Sequence, residues 1–323
     1  MVKNAKANMS FTGIASFAKL PIVERPEPGQ ADAVIVGVPY DAGIGFRPGA
    51  RFGPRAIREM STRYAFGQAA STEPGYFDID CGSRFLEWPQ IVDLGDVDVL
   101  YLDTDYTFNQ ITTTVAQIVR SGAIPVVLGG DHSITFPVVK GLEEVGEFCI
   151  LHLDAHLDFK DSVLGVKLGN SSPIRRVAEL PFVESIVTIG ARGIRTSEVD
   201  LKAALSRGNI IIPASKILEH GVEYSLNRIP RCAKYYLTVD IDVLDPSIAP
   251  GTGSPEPDGL CYRHVKQIVK HVAECCELVG IDVVEVNPYL DPTQRTPLIA
   301  SRLIIEALGL AFAGPTGRKR GGR

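Results

Sequence analysis

The stretch His-Leu-Asp-Ala-His-Leu-Asp at 152–158 closes an apolar run, "EFCILHLDAH", with two imidazoles and two carboxylates. Two further polar clusters end similar runs: Asp131 and His132 in "VVLGGDHS", and Asp240 and Asp242 in "YYLTVDID". In an extended chain a spacing of two puts Asp154, His156 and Asp158 on one side, and Asp240 with Asp242 on another strand likewise. Any one of these residues alone is most simply a helix cap, a turn-forming Asp or a hydrogen-bonded core His. The group resists that reading, because carboxylates gathered at the ends of buried strands repel one another and are costly to desolvate unless they take up protons or share cations. Four aspartates (Asp154, Asp158, Asp240, Asp242) carry four negative charges, and neutral His132 and His156 add none, so two divalent cations balance the set. Such a pair, ~3.5–4 Å apart, lowers the pKa of a bridging water and supplies hydroxide near neutral pH. Mostly carboxylate oxygen with some imidazole favours Mn²⁺, with Ni²⁺ or Co²⁺ behind it, and the lack of clustered Cys argues against thiolate zinc or iron–sulfur. His152 is set apart as pointing to the opposite side of its strand, in a structural role.

The elements that must carry these residues are legible as alternating strands and helices. Strands are expected at "ADAVIVGVPY", "PQIVDLGDV", "AIPVVLGG", "FCILHLD", "SIVTIGA", "NIIIPA", "YYLTVDI" and "LVGIDVVEV", each apolar on successive residues, as strands covered on both faces are. Helical segments lie between them, among them "FNQITTTVAQIVRSG", "SEVDLKAALSRG", "RHVKQIVKHVAECCE" and "TPLIASRLIIEALGLAF", and Pro54 is placed to start one after a Gly/Pro/Arg loop at 41–60. The pattern predicts an α/β fold: a single three-layer αβα domain over 11–313 with a mostly parallel sheet of about eight strands, a flexible tail at 1–10 and a basic flexible tail at 314–323. In such sheets ligands bind outside the carboxyl ends of the strands, so all the polar clusters fall on one rim.

Composition narrows the class of function. With 323 residues, 45% hydrophobic and 22% charged, the chain has ordinary globular composition, and a net charge of -5 spread along it gives no reason to expect nucleic acid or an acidic membrane as partner. No run is expected to reach the ~18 apolar residues of a membrane span. Six cysteines (Cys81, Cys149, Cys232, Cys261, Cys275, Cys276) show no framework spacing, and a reducing, cytoplasmic location is expected.

Three stretches carry a family resemblance. "GGDHS" at 129–133, "HLDAHLD" at 152–158 and "TVDIDVLDPSIAPGTGSPEPDGL" at 238–260 resemble the signatures of the ureohydrolase family, the arginases and agmatinases, and "GVPYDAGIGFRPGARFGPRAIR" at 37–58 resembles its agmatinase-like branch. The resemblance runs from about Phe11 to the last helix and implies an arginase-like fold. It implies that His132, Asp154, His156, Asp158, Asp240 and Asp242 hold two Mn²⁺ ions, the same six that charge balance selects. Glu285 in "DVVEVNP" matches the carboxylate that grips a substrate guanidinium. Arg47, Gly49 and Arg51 match a motif bordering the subunit contact and the active-site mouth. The reaction so implied is hydrolysis of a guanidino C–N bond to urea, or a urea-like fragment, and an amine. Asp158 would move the proton to the departing nitrogen and Glu285 would orient the cation. Trimers or hexamers are implied, homo-oligomeric or mixed with a paralogous chain.

The chain departs from the family's pattern in "GNSSPIRR", where Asn170 stands in place of a proton-shuttling His that lines the substrate pocket. Asn can hydrogen-bond but cannot titrate. Neutral drift, a catalytically silent paralogue and a changed substrate, such as an N-alkylated guanidine or a biguanide in place of an agmatine-like one, each account for it. Smaller departures are Ser254, a substrate-pocket position where Thr is usual, and Asp258, where Gly is usual. Two rival readings stand beside the first: a single-zinc amide deacetylase of the same architecture, which would not need both His132 and Asp158, and a non-catalytic partner in a mixed oligomer.

Overall fold

Residues 33–37, Ala-Val-Ile-Val-Gly, are buried at every position, as expected of a strand with helices on both sides. In a computed structural model describing residues 9–65 and 74–314, this strand, β1 (Ala33–Gly37), joins seven others. They are β4 (Ile91–Asp96), β5 (Ile124–Leu128), β6 (Phe148–Leu153), β7 (Val183–Ala191), β8 (Ile210–Pro213), β9 (Lys234–Asp240) and β10 (Glu277–Val284). The sheet order is β4-β1-β5-β10-β9-β6-β7-β8, and every pairing is parallel. All eight expected strands are therefore present. A separate antiparallel hairpin, β2 (Tyr76–Asp78) with β3 (Ser83–Phe85), was not expected; at three residues a strand it is too short to carry an apolar run. The N-terminal tail up to residue 8 and the basic tail from 315 lie outside the described residues.

Helices α1 (Gly53–Ser61), α2 (Thr104–Arg120), α3 (Thr135–Lys140), α4 (Pro173–Val177), α5 (Glu198–Ser206), α6 (Ala214–His220), α7 (Glu223–Leu226), α8 (Tyr262–Cys275) and α9 (Arg295–Ala313) cover the sheet. Pro54 stands in the first turn of α1, where its missing N–H costs nothing. Alternate strand residues supply two cores: Ala33 and Ile35 pack with α1, α6, α8 and α9, whereas Val34 and Val36 pack with α2, α3, α4 and α5. These are the three layers the alternation predicts. Helix α9 corrects one expectation, since its 19 residues are long and apolar enough to cross a membrane. Within the fold 72% of its most apolar window is buried, as a core helix requires.

The cysteines correct another. Cys149, at the start of β6, and Cys232, just before β9, form a disulfide 83 residues apart in the chain. No spacing rule shows this; β6 and β9 are sheet neighbours with Cys149 in register with Tyr235, which brings the two residues together. The bond counts against the reducing compartment expected from the cysteine count.

At the β4 edge of the sheet, Arg58 of α1 donates to both oxygens of Asp93 at 2.9 and 3.0 Å, to Asp96 at 2.5 Å and to the Gly95 carbonyl at 2.6 Å. Arg58→Ala would leave the buried Asp93 charge without its cation and is expected to lower stability by about 3 kcal/mol or more, read as a lower urea midpoint at unchanged slope.

Candidate metal centre

Sheet order explains how the clusters meet. β5 and β6 follow one another in the chain, yet β10 and β9 are inserted between them. The carboxyl ends of four adjacent strands thus deliver Asp131 and His132 (after β5), Glu285 (after β10), Asp240 and Asp242 (at the end of β9), and Asp154, His156 and Asp158 (after β6) to one place.

The six expected ligands converge. Nδ1 of His132 lies 3.2, 3.1 and 3.3 Å from carboxylate oxygens of Asp154, Asp158 and Asp240. Nδ1 of His156 lies 3.1 Å from Asp242 and 3.3 Å from Asp154. Asp154 therefore bridges two corners, one around each imidazole. Ligand atoms of Asp154, His156 and Asp242 all fall within 4.8 Å of one another.

The route to this convergence differs from the expected one. β6 ends at Leu153, so Asp154 to Asp158 lie in a bend beyond the strand, and Asp158 has φ +47°. Asp240 ends β9 and Asp242 sits in a short 3-10 turn whose N–H donates to Asp240 Oδ1 at 2.9 Å. Strand periodicity selected residues that do converge, but loop hydrogen bonds aim them: His156 N–H donates to Asp154 at 2.6 Å and Ala155 N–H to Asp242 at 3.1 Å. His152 does not face away. Its Nε2 is 2.8 Å from Asp154 Oδ2 and its Nδ1 is 3.0 Å from Thr188 Oγ1, so it holds the Asp154 carboxylate in place; residues two apart share a strand face.

Behind His132 lies a buried polar chain that sequence reading missed. Nε2 meets Thr238 Oγ1 at 3.1 Å, and Asp282 accepts from Thr135 at 2.9 Å and Tyr236 at 2.6 Å. With Nε2 engaged there, Nδ1 is the ring atom turned to the cluster, where it is buried without a hydrogen-bond partner. A ring nitrogen 3.1–3.3 Å from three carboxylates meets them only through a shared proton or cation, and the donor set fits divalent ions. A signal did exist: Thr238 and Asp282 are polar residues inside otherwise apolar strands.

Charge tells the same story. Burial opposes a proton on His132, but Asp154, Asp158 and Asp240 outweigh it and hold the pKa well above the ordinary imidazole range; burial likewise opposes a proton on His156, and Asp242 and Asp154 outweigh it. Burial pushes Asp240 up, reinforced by Asp242 and Asp154, and also pushes Asp242 up against the pull of His156. Asp154 is held well below the usual range despite burial, by His152, His132 and His156. The cluster demands positive charge, which protons or metal ions can supply.

Beside the cluster, Glu285 offers a buried carboxylate. Its Oε1 accepts from the backbone N–H of His132 at 3.0 Å and from Asn170 Nδ2 at 3.3 Å, so Asn170 stands beside it as the motif implies. Burial, then Asp131, pushes its pKa up to about 8. Glu285 has φ +63°, and non-glycine residues held there cost roughly 1–3 kcal/mol, a cost concentrated at functional sites. The loop at 41–53 closes over this side: Gly43 N–H donates to Asp131 at 2.7 Å, and Gly49 N–H donates to Asp41 at 2.7 Å. Gly49 has φ +137°, and a Cβ there would lie 2.5 Å from Asn287, so only glycine fits. Arg51 pairs with Asp41 and stacks over Tyr101, while Arg47 is exposed at the mouth and its carbonyl receives Asn287 Nδ2 at 3.4 Å. Ser254 is half-buried and follows Gly253, where a Cβ would stand 3.7 Å from Glu285 Oε2. Asp258 has φ +58°, the left-handed conformation that glycine adopts more easily.

Comparison with known proteins agrees with this geometry. The profile described as "Arginase family" matches residues 31–309. The chain is 34% identical over 302 residues to the mitochondrial guanidino acid hydrolase of Homo sapiens, covering 92% of this chain and 82% of that protein. It is 33% identical over 302 residues to the mitochondrial agmatinase of Gallus gallus, covering 92% and 85%. Among solved structures, proclavaminate amidinohydrolase from Streptomyces clavuligerus superposes with a TM-score of 0.83 at 29% identity, covering 94% of this chain and 99% of that one.

Proposed function

Because the chain belongs to the arginase family and is a hydrolase of amidino C–N bonds, we propose that it cleaves a small guanidino-type compound at two divalent cations held by His132, Asp154, His156, Asp158, Asp240 and Asp242. The observation that carries this reading is the adjacency of two sites: a cluster that demands cationic charge, and the Glu285 carboxylate bonded to the His132 N–H at 3.0 Å. One suits metal ions and the other a guanidinium.

When bound, the cations supply Lewis acidity and make water a strong nucleophile at neutral pH. The remaining work falls to the chain. Glu285 pairs with the planar guanidinium by charge-assisted hydrogen bonds and fixes which face of its carbon meets the cluster. Its own oxygen is steadied by Asn170. Asp158, half-buried at the rim, takes the proton released on attack and returns it to the departing nitrogen, so that an amine leaves and urea or a urea-like product remains. His132 and Asp158 lie 3.1 Å apart, which favours this reading over a single-zinc amide deacetylase. Mn²⁺ is the proposed metal, with Ni²⁺ as the alternative. Trimers or hexamers of this chain, or mixed assemblies with a paralogue, are the proposed state; Phe46 and Tyr289, 68% and 69% exposed beside the mouth, support burial against another chain.

Asn170 directs the choice of substrate. It touches the guanidinium-binding carboxylate without being able to shuttle a proton, which supports a substrate other than the usual linear guanidines, such as an N-alkylguanidine or a biguanide. The test loads purified protein separately with Mn²⁺ and Ni²⁺ and measures urea or amine release from a panel of both classes. The expected result is poor turnover of agmatine, guanidinobutyrate and arginine beside one efficient substrate. Asn170→His is then expected to raise kcat/KM on a linear guanidine and lower it on that substrate, each by about tenfold or more, the reach of one placed hydrogen bond. Efficient agmatine hydrolysis by the unaltered chain removes the changed-substrate reading, and turnover only after a partner chain is added replaces it with the non-catalytic one.

A further inference from the structure

Glu256 belongs to none of the roles assigned so far, yet it faces the outer nitrogen of a ligand. His156 turns Nδ1 to Asp242 and Asp154, and its other nitrogen, Nε2, lies 3.6 Å from Glu256 Oε1. Both side chains are mostly enclosed, His156 at 23% and Glu256 at 18% exposure. The gap is an ion-pair distance, and rotation about the soft terminal torsion of a glutamate closes it to a hydrogen bond.

The surroundings are built to hold this pair. Arg192, just beyond β7, donates through Nη2 to the carbonyls of Glu256 at 2.7 Å and Asp242 at 2.8 Å, and through Nε to that of Pro257 at 2.8 Å. One guanidinium thus ties the backbone of a ligand aspartate to the loop that carries Glu256. Gly193 makes the space: a Cβ there would stand 2.9 Å from His156 Cδ2 and 3.4 Å from Glu256 Oε1. His132 is braced from behind by Thr238; among the described residues, the outer nitrogen of His156 is met by Glu256 alone.

We propose that Glu256 is a positioning residue for the metal corner formed by His156, Asp242 and Asp154. It accepts the Nε2–H of His156, keeps the Nδ1 lone pair turned inward and makes the imidazole a better ligand. This rests on the metal reading above, and the experiment separates the two. Purified protein is stripped with a chelator and titrated with Mn²⁺ by calorimetry, without substrate, for the unaltered chain and for Glu256→Gln, Glu256→Ala and Gly193→Ala. Melting temperatures are read with and without Mn²⁺.

The unaltered chain is expected to bind two ions. Glu256→Ala should weaken one of them about 10–100-fold, the range typical of lost outer partners, while leaving the other and the metal-free melting temperature in place. Glu256→Gln, which can accept but carries no charge, should fall between. Gly193→Ala should weaken the same ion by tilting the ring. The increment in melting temperature on adding Mn²⁺ should shrink in the same order, a change that a merely structural role would not give. Equal affinities in Glu256→Ala and the unaltered chain overturn the proposal and leave the metal reading standing. So does unchanged affinity with a raised KM, which would make Glu256 a substrate contact. Fewer than two ions in the unaltered chain overturns the metal reading itself.

Discussion

Asp240→Ala is expected to purify with fewer than two divalent ions per chain and to lose catalysis almost entirely. Asp240 lies 3.3 Å from His132 Nδ1, at the end of β9, and also accepts the N–H that holds Asp242 in its turn. One substitution therefore removes one proposed ligand and loosens a second. Loss of an outer partner alone typically costs 10–100-fold, so loss of a ligand should exceed roughly 1,000-fold in kcat/KM. The protein itself should survive, because Asp240 stands at the end of β9 rather than in either apolar core. Elemental analysis together with a melting curve decides the matter. Two ions per chain in a folded Asp240→Ala protein would remove Asp240 from the ligand set and with it the charge balance of four carboxylates against two dications.

Most of this site was legible because strands buried on both faces have so few reasons to carry charge. The runs ending at Leu128, Leu153 and Asp240 are apolar on successive residues, and the first polar side chains after them had to be either satisfied locally or shared. Parallel pairing then sends every such end to one rim, so the convergence of the three clusters followed without knowledge of strand order. The inference about facing was weaker. An extended 152–158 would aim by strict alternation, whereas β6 stops at Leu153 and the bend, with Asp158 at φ +47°, does the aiming. The misplacement of His152 came from the same region, and the period of two, applied consistently, would have put it beside Asp154.

What stayed hidden depends on contacts between residues far apart in the chain. Glu256 lies 100 positions after His156, and only the fold of the loop after β9, clamped by Arg192, brings them together. Thr238 and Asp282 were visible as polar interruptions of strands, but their service to His132 depends on β9 and β10 being neighbours, which sequence order does not state. The Cys149–Cys232 bond is of the same kind. Local pattern reports what each segment is; sheet order decides what it meets.

Glu285→Gln is the complementary expectation: both metal ions remain and turnover falls. Glu285 follows β10 at φ +63°, with Oε1 taken by the His132 N–H and by Asn170, while the neighbouring Asp131 is engaged by Ser133 and Gly43. Glutamine keeps the volume and one acceptor but gives up the charge. Truncating one partner of a buried, hydrogen-bonded charge pair costs about 2–5 kcal/mol, which corresponds to roughly 30- to 5,000-fold in kcat/KM. The sign for stability is opposite. Burial and Asp131 raise the Glu285 carboxyl to about 8, so below that pH the folded chain keeps a proton there that an unfolded glutamate releases above its ordinary pKa. Holding that carboxylate ionised therefore works against folding near and above neutral pH, and Glu285→Gln, which cannot ionise, should melt no lower than the unaltered chain in the absence of substrate. A metal-replete protein with an undiminished melting temperature that has lost its substrate is the signature of a residue kept for binding. Unchanged kcat/KM on the best substrate from the panel would take Glu285 out of the pocket, and a lower melting temperature would make it structural instead.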